Sequence, residues 1–122
     1  MRHRIKKAIL NRPADQRKAL VRNLVTSLFL YGKVKTTVAK AKALASEAEH
    51  LITKIKNQKE DHNAIKEAMR VVTTEASSRN LIEYAQKSDR NSGYTRSTKI
   101  GYRAGDNALM VLVELIPNED TK

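Results

Sequence analysis

The chain has no cysteine and no tryptophan, and only one phenylalanine and four tyrosines among its 122 residues. Without cysteine there is no disulfide scaffold and no thiolate metal site, a composition that suits a reducing compartment. So few aromatics argue against a large aromatic ligand pocket. Long apolar runs are missing too. No window approaches the ~18 consecutive apolar residues of a membrane span. The longest stretch, Ala108 to Ile116, is of strand length and is interrupted by Glu114. The opening Met1-Arg2-His3-Arg4-Ile5-Lys6-Lys7 is basic, but no apolar segment of signal-peptide length follows it. No membrane partner is expected.

The last scarcity is of acids, and it is local. Residues 1 to 42 hold twelve bases: Arg2, Arg4, Lys6, Lys7, Arg12, Arg17, Lys18, Arg22, Lys33, Lys35, Lys40 and Lys42. Their only acid is Asp15. Residues 43 to 122 carry twelve bases and twelve acids, so the whole net charge of +11 lies in the first third. A surface that is merely solvated mixes both signs. One sign gathered in one segment points to a polyanion. A second basic stretch, with Arg90, Arg96, Lys99 and Arg103, is interleaved with Tyr94 and Tyr102. Bases beside aromatics suit nucleic acid, where phosphates take charge and unstacked bases take a flat ring. Two tyrosines in a strand, however, serve packing more often than stacking.

The length predicts one domain that buries roughly two-thirds of the surface its unfolded chain exposes. Residues 1 to 11 show no periodicity, so 1–12 is assigned as an extended basic arm, disordered until a polyanion screens it. Pro13 suits a first helical position, with Asp15 in the first turn. Leu20, Leu24 and Leu28, joined by Val21 and Val25, make one apolar face, and Gly32 ends the helix. Lys33 to Thr37 alternates as a short strand with its lysines on one face. A threonine then caps a second helix, whose stripe of Val38, Ala41, Ala45, Ala48, Ile52 and Ile55, widened by Leu44 and Leu51, reaches about residue 57. That stripe is short and mostly alanine, which favours packing within the chain over a coiled-coil dimer.

Asn57 to Asn63 reads as a loop. A third helix follows around Ile65, Ala68, Met69 and Val72, and a short fourth around Leu81, Ile82 and Ala85. The chain closes with a hairpin: Tyr94 to Arg103, a turn at Ala104-Gly105-Asp106-Asn107, then Ala108 to Ile116. The second hairpin strand is apolar on nearly every residue, so it is expected to be central and buried on both faces. Gly101 invites a bulge in the first. The domain is thus 13–116, and 117–122 is an acidic tail expected to fray. The fold class is α+β in two layers, in the order helix, strand, three helices, two strands, behind a basic arm.

Catalytic chemistry finds no foothold. His3, His50 and His62 lie in arm, helix and loop with no partner at metal-ligand spacing. Gly101 and Gly105 do not form a phosphate loop, and Asp106-Asn107 suits a turn better than a carboxylate site. No metal, cofactor or small-molecule substrate is expected, and the chain is read as a binding protein rather than an enzyme. A DNA-reading helix-turn-helix is disfavoured, because a strand separates the first two helices and Val38, Ala39 and Ala41 stand where base-reading side chains belong. A basic arm on a small α+β domain suits structured RNA. The competing reading is a nucleoid-type protein coating duplex DNA.

Gly93-Tyr94-Thr95-Arg96, then Lys99, then Gly101-Tyr102-Arg103-Ala104-Gly105-Asp106-Asn107-Ala108 resembles the C-terminal signature of the bacterial large-ribosomal-subunit protein seventeen family. Met1-Arg2-His3-Arg4 is similar to that family's opening. Arg22-Asn23-Leu24 with Ser27-Leu28, and Lys35-Thr36-Thr37 with Ala39-Lys40-Ala41-Lys42, resemble its first helix and the segment after it. The chain departs from the family at Pro13-Ala14-Asp15-Gln16, at Ser92-Gly93, and at Tyr102, where Phe is common. The resemblance implies a structural protein of the large subunit that binds rRNA near the peptide exit tunnel. Its implied partners are large-subunit rRNA and neighbouring ribosomal proteins, with a single copy per ribosome. It also implies rRNA contacts at Arg2, His3, Arg4, Arg17, Arg22, Lys35, Lys40, Lys42, Arg96, Lys99 and Arg103. Charge and position add Lys6, Lys7, Arg12 and Lys18. The direct start at Met1-Arg2-His3-Arg4 leads to the expectation of a bacterial cytoplasm rather than an organelle.

Overall fold

The computed structural model describes residues 9–117. The expected contacts at Arg2, His3, Arg4, Lys6 and Lys7, and the tail from residue 118, lie outside that range. Four helices and three strands follow in the expected order: α1 (Ala14–Tyr31), β1 (Lys33–Thr37), α2 (Val38–Lys56), α3 (Asp61–Met69), α4 (Glu75–Lys87), β2 (Thr95–Tyr102) and β3 (Leu109–Leu115). The strands form one antiparallel sheet in the order β1-β3-β2, so the last strand is central. The helices pack on one another and over one face of the sheet.

Pro13 is the N-cap of α1 rather than its first helical residue, and Asp15 sits in the first turn. Gly32 closes the helix at φ +82°, with its N–H donating to the Leu28 carbonyl at 2.7 Å. That left-handed position suits glycine. The buried residues are Val25, Thr26, Leu28 and Phe29, while Leu20, Val21 and Leu24 are only half-buried. Full burial is therefore confined to the second half of α1, while Val21 and Leu24 pack partly against the core and residues 14–16 are exposed.

In α2 the buried residues are Ala41, Leu44, Ala48, Leu51, Ile52 and Ile55, whereas Val38 and Ala45 of the expected stripe are only half-buried. Each large side chain so buried contributes roughly 1.5–3 kcal/mol. Thr37 holds the N-cap position, but its side chain makes no capping hydrogen bond. The expected loop to Asn63 is shorter, because α3 starts at Asp61, and His62 is therefore helical. Here the structure also redraws the apolar face. Ala64 and Ala68, one turn apart, are buried, whereas Ile65 and Met69 are 44% and 64% exposed. Small residues let a short helix approach its neighbours closely, which turns the larger side chains outward.

Hydropathy gives no hint of the polar staple between α1 and α4. The Thr74 hydroxyl accepts from the Ser77 N–H at 3.2 Å, the Ser77 hydroxyl donates to the Thr26 carbonyl at 3.0 Å, and the Thr73 N–H donates to the Thr26 hydroxyl at 3.1 Å. Asn80 donates to the Phe29 carbonyl at 2.9 Å. Ser77 is fully buried, and these bonds offset the cost of its desolvation.

The sheet corrects one further expectation. Val111 and Val113 are buried under the helices, but Met110, Leu112 and Glu114 are only half-buried on the opposite face, which no element covers among the described residues. β3 is central without being covered on both sides.

Candidate nucleic-acid interface

The described basic residues of the first third, Arg12 to Lys42, fall on three surfaces. A turn at residues 9–12, closed by the Arg12 N–H donating to the Ile9 carbonyl at 3.2 Å, leads into α1. Beyond it, Arg17, Lys18 and Arg22 ride on α1, Lys18 and Arg22 one turn apart on the same flank. Lys18 is exposed and makes no hydrogen bond or ion pair among the described residues, while Arg22 donates through Nε to the Val71 carbonyl at 3.1 Å. The second surface is the open face of the sheet. Residues directly opposite across antiparallel strands share a face. Lys33 opposes Glu114, Lys35 opposes Leu112, and Arg96 opposes Glu114 from the other side. The third is the start of α2, where Lys40 and Lys42 flank buried Ala41 on opposite sides, so they do not form a single pair of contacts.

Ion pairing separates these bases from the rest. Six ion pairs occur among the described residues, using Lys54, Arg70, Arg79, Lys87, Arg96 and Arg103. None uses a base between residues 12 and 42. Among the described residues, the bases from Arg12 to Lys42, which have only Asp15 for an acid in sequence, also lack ion pairs in the fold. In the hairpin the three expected contacts differ. Lys99 is exposed on the edge strand, Arg96 grips Glu114 at 2.6 and 2.9 Å, and Arg103 grips Asp106 at 2.5 and 3.1 Å. The Arg103 guanidinium, with help from the Ala108 N–H, holds the Asp106 carboxyl down at about 2.

The two hairpin tyrosines part company. Tyr94 is 1% exposed, donates its hydroxyl to the Arg90 carbonyl at 2.8 Å and meets Tyr84 edge to face at 6.4 Å. It is a core residue. Tyr102 is 70% exposed. The sheet register slips between Lys99 and Gly101, which is the bulge that Gly101 invited. The sequence reading did not single out Ile100 and Met110, which line the open face beside that bulge. Their only signal was their place on either side of a glycine-marked hairpin.

The family model described as Ribosomal protein L17 matches residues 20–116. The chain belongs to this family. It is 47% identical over 109 residues to a large ribosomal subunit protein bL17 of Clostridium acetobutylicum, covering 88% of this chain and 94% of that protein. A protein of the same name from Chloroflexus aggregans is 44% identical over 118 residues, which is 95% of this chain and all of the relative. Membership in the L17 family makes the chain a ribosomal protein, a structural component of the translation apparatus and not an enzyme. Within the matched L17 region lie Arg22, Lys35, Lys40, Lys42, Arg96, Lys99 and Arg103, whereas Arg12, Arg17 and Lys18 precede it. Among the described residues of this L17-family chain, no helix is long and apolar enough to cross a membrane.

Proposed function

We propose that this chain is a single-copy constituent of the large ribosomal subunit that binds rRNA through the exposed start of α1, the start of α2 and the open face of its sheet. It helps pack that RNA near the peptide exit tunnel. The observation that carries the reading is the run of eight bases from Arg12 to Lys42, opposed by Asp15 alone and free of ion pairs among the described residues. RNA helices that pack closely bring phosphates together, and their mutual repulsion must be screened. Cations already paired within the protein do this poorly, and unpaired ones do it well. The electrically neutral remainder mounts these cations on a rigid core and presents the exposed Ile65 and Met69 to neighbouring proteins. The arm residues Arg2, His3, Arg4, Lys6 and Lys7 extend the same basic surface in sequence.

The test is a salt titration of binding to purified large-subunit rRNA, with duplex DNA as competitor. About eight phosphate contacts predict a log–log slope on the order of −6 to −7. A slope shallower than about −2 contradicts the reading, and equal affinity for duplex DNA at matched salt replaces it with the nucleoid alternative. In a cell lysate, the protein is expected to sediment with the large subunit at high salt. Removal of residues 1–8 is expected to weaken rRNA binding while the circular dichroism of the helices is kept.

A further inference from the structure

The chain doubles back from α3 to α4 through Thr73 and Thr74, and a groove of about 650 Å³ runs along the seam between the two helices. Its walls are two helical stripes. Asp61, Ile65 and Met69 follow one another at one-turn intervals on α3, and Ser78, Ile82 and Gln86 do the same on α4. The far end is bridged by the Gln86 amide, which donates to the Asp61 carboxylate at 3.0 Å. The groove exists because Ala64 and Ala68 are the residues that α3 buries. They leave Ile65 and Met69 standing in it, 44% and 64% exposed. Single exposed apolar residues are normal on a surface, but two large ones sharing a groove with half-buried Ile82 mark an interaction site.

We propose that this groove docks a neighbouring large-subunit protein through an apolar side chain that has a lysine or arginine beside it. The apolar group settles between Ile65, Met69 and Ile82, and the cation meets Asp61. The proposal rests on the ribosomal reading above and names a site and a partner chemistry within it. Charge selects the partner. Three acids, Asp61, Glu75 and Glu83, line the groove against one base, Arg79. Arg79 is engaged by Glu75 at 3.1 Å, and Glu83 by Lys87 at 2.7 Å. The Asp61 carboxylate has only the neutral Gln86 amide among the described residues. A phosphate therefore finds no free cation in the lining and one uncompensated anion, the reverse of the surface on α1. A second copy docked groove to groove would set these acids against their own equivalents. A basic protein segment meets neither obstacle, and the unbranched thioether of Met69 adapts to an irregular apolar side chain. Among the described elements α3 packs only on α2 and α4, away from the sheet, so this groove and the open sheet face can be occupied together.

The deciding experiment places the photoreactive residue p-benzoylphenylalanine at Glu75 of the full-length chain, on the groove's lining but outside its apolar contacts. Large subunits are isolated by sedimentation and irradiated, and the adduct is identified by mass spectrometry. It is expected on one other large-subunit protein, at a peptide with a lysine or arginine beside an apolar residue. That peptide is then synthesised and titrated by calorimetry against the parent, Ile65→Ser and Asp61→Asn. Both positions are exposed, so the circular dichroism of the variants is expected to match the parent. Ile65→Ser is expected to weaken binding roughly three- to tenfold at every salt concentration, because apolar contact is lost. Asp61→Asn is expected to weaken it roughly two- to fivefold in dilute salt and to match the parent at about 1 M, where an exposed pair is screened. An adduct on rRNA or on a second copy overturns the groove and leaves the ribosomal reading standing. So does the lack of any adduct in subunits that contain the chain, or a peptide that binds parent and Ile65→Ser alike. A chain absent from the sedimented large subunits overturns both.

Discussion

The guanidinium of Arg22 donates through Nε to the carbonyl of Val71 at 3.1 Å, tying α1 to the segment between α3 and α4. Lys18, one turn earlier on the same flank, is exposed and makes no such bond. Two bases that look equivalent as phosphate contacts thus have different duties. Lys18→Ala is expected to leave thermal stability unchanged while making the salt slope of rRNA binding shallower by roughly 0.7–0.9. Arg22→Ala is expected to cost about 1 kcal/mol of folding free energy as well, a fall in Tm of roughly 3–5 °C. Calorimetry alongside filter binding separates the two effects. Equal Tm values for both variants would show that the Arg22 bond contributes nothing.

Tyr84 closes the other end of the helical layer. Its hydroxyl is directed at the Ile116 carbonyl at 2.5 Å and the Tyr94 carbonyl at 3.3 Å, so α4 is fastened to both ends of the hairpin. Burial raises its pKa above the usual tyrosine value of 10.0. A folded-state pKa above the unfolded one means that the contribution is fully present below about pH 10 and is lost as pH rises through the folded value. Tyr84→Phe is expected to cost about 1 kcal/mol in urea unfolding at neutral pH, and to remove this share of the alkaline loss of stability. An unaltered alkaline profile in Tyr84→Phe would assign that loss to other groups.

At the hairpin tip the sign is reversed. Asp106 titrates at about 2 instead of 3.8, because Arg103 and the Ala108 N–H both bond its carboxylate. A depressed folded-state pKa means that the clasp is complete above about pH 4 and is released as pH falls through about 2. The Ala108 amide resonance is expected to titrate with that midpoint in an NMR pH series. Arg103→Ala is expected to move the midpoint back towards 3.8. If the Ala108 amide does not follow the carboxylate, the clasp is not what orders the turn.

Much of this architecture was legible because the informative residues signal through local rules. Gly32, the alternation from Lys33 to Thr37 and the alanine-rich stripe of α2 each specify an element without reference to distant sequence. The centrality of β3 was legible from Val111 and Val113 and their apolar neighbours. Its open face was not, because an apolar run does not say how many layers cover it. Only Glu114, engaged by Arg96 on that face, carried the contrary signal. The outward turn of Ile65 and Met69 was hidden for a similar reason: periodicity finds a stripe but does not tell whether small or large residues will meet the neighbour. The Thr26–Ser77 staple joins residues 51 apart and has no hydropathic trace. At the interface, sequence charge located the bases between residues 12 and 42. Which hairpin bases are already paired, and that Tyr94 and Tyr102 differ, depended on cross-strand register and on contact with α4.

Gly32 links the core to the open face, and its substitution tests that link. It sits at φ +82° between the end of α1 and Lys33, its N–H bonds the Leu28 carbonyl at 2.7 Å, and its own carbonyl accepts from the Leu115 N–H at 3.1 Å. No atom lies within 4 Å of a Cβ built there, so a side chain meets no steric obstacle and the cost of substitution is conformational alone. For Gly32→Ala that cost is roughly 1–2 kcal/mol, and for Gly32→Asn it is smaller, since Asn tolerates the left-handed region. Chemical denaturation is expected to rank the three proteins Gly, then Asn, then Ala. Because the junction sets which way β1 leaves the helix, it also sets the face on which Lys33 and Lys35 stand. If the turn keeps its shape and only loses stability, the salt slope of rRNA binding is unchanged in both variants. A slope that falls together with stability would mean that the chain escapes the strain by re-aiming β1 and takes Lys35 away from the RNA.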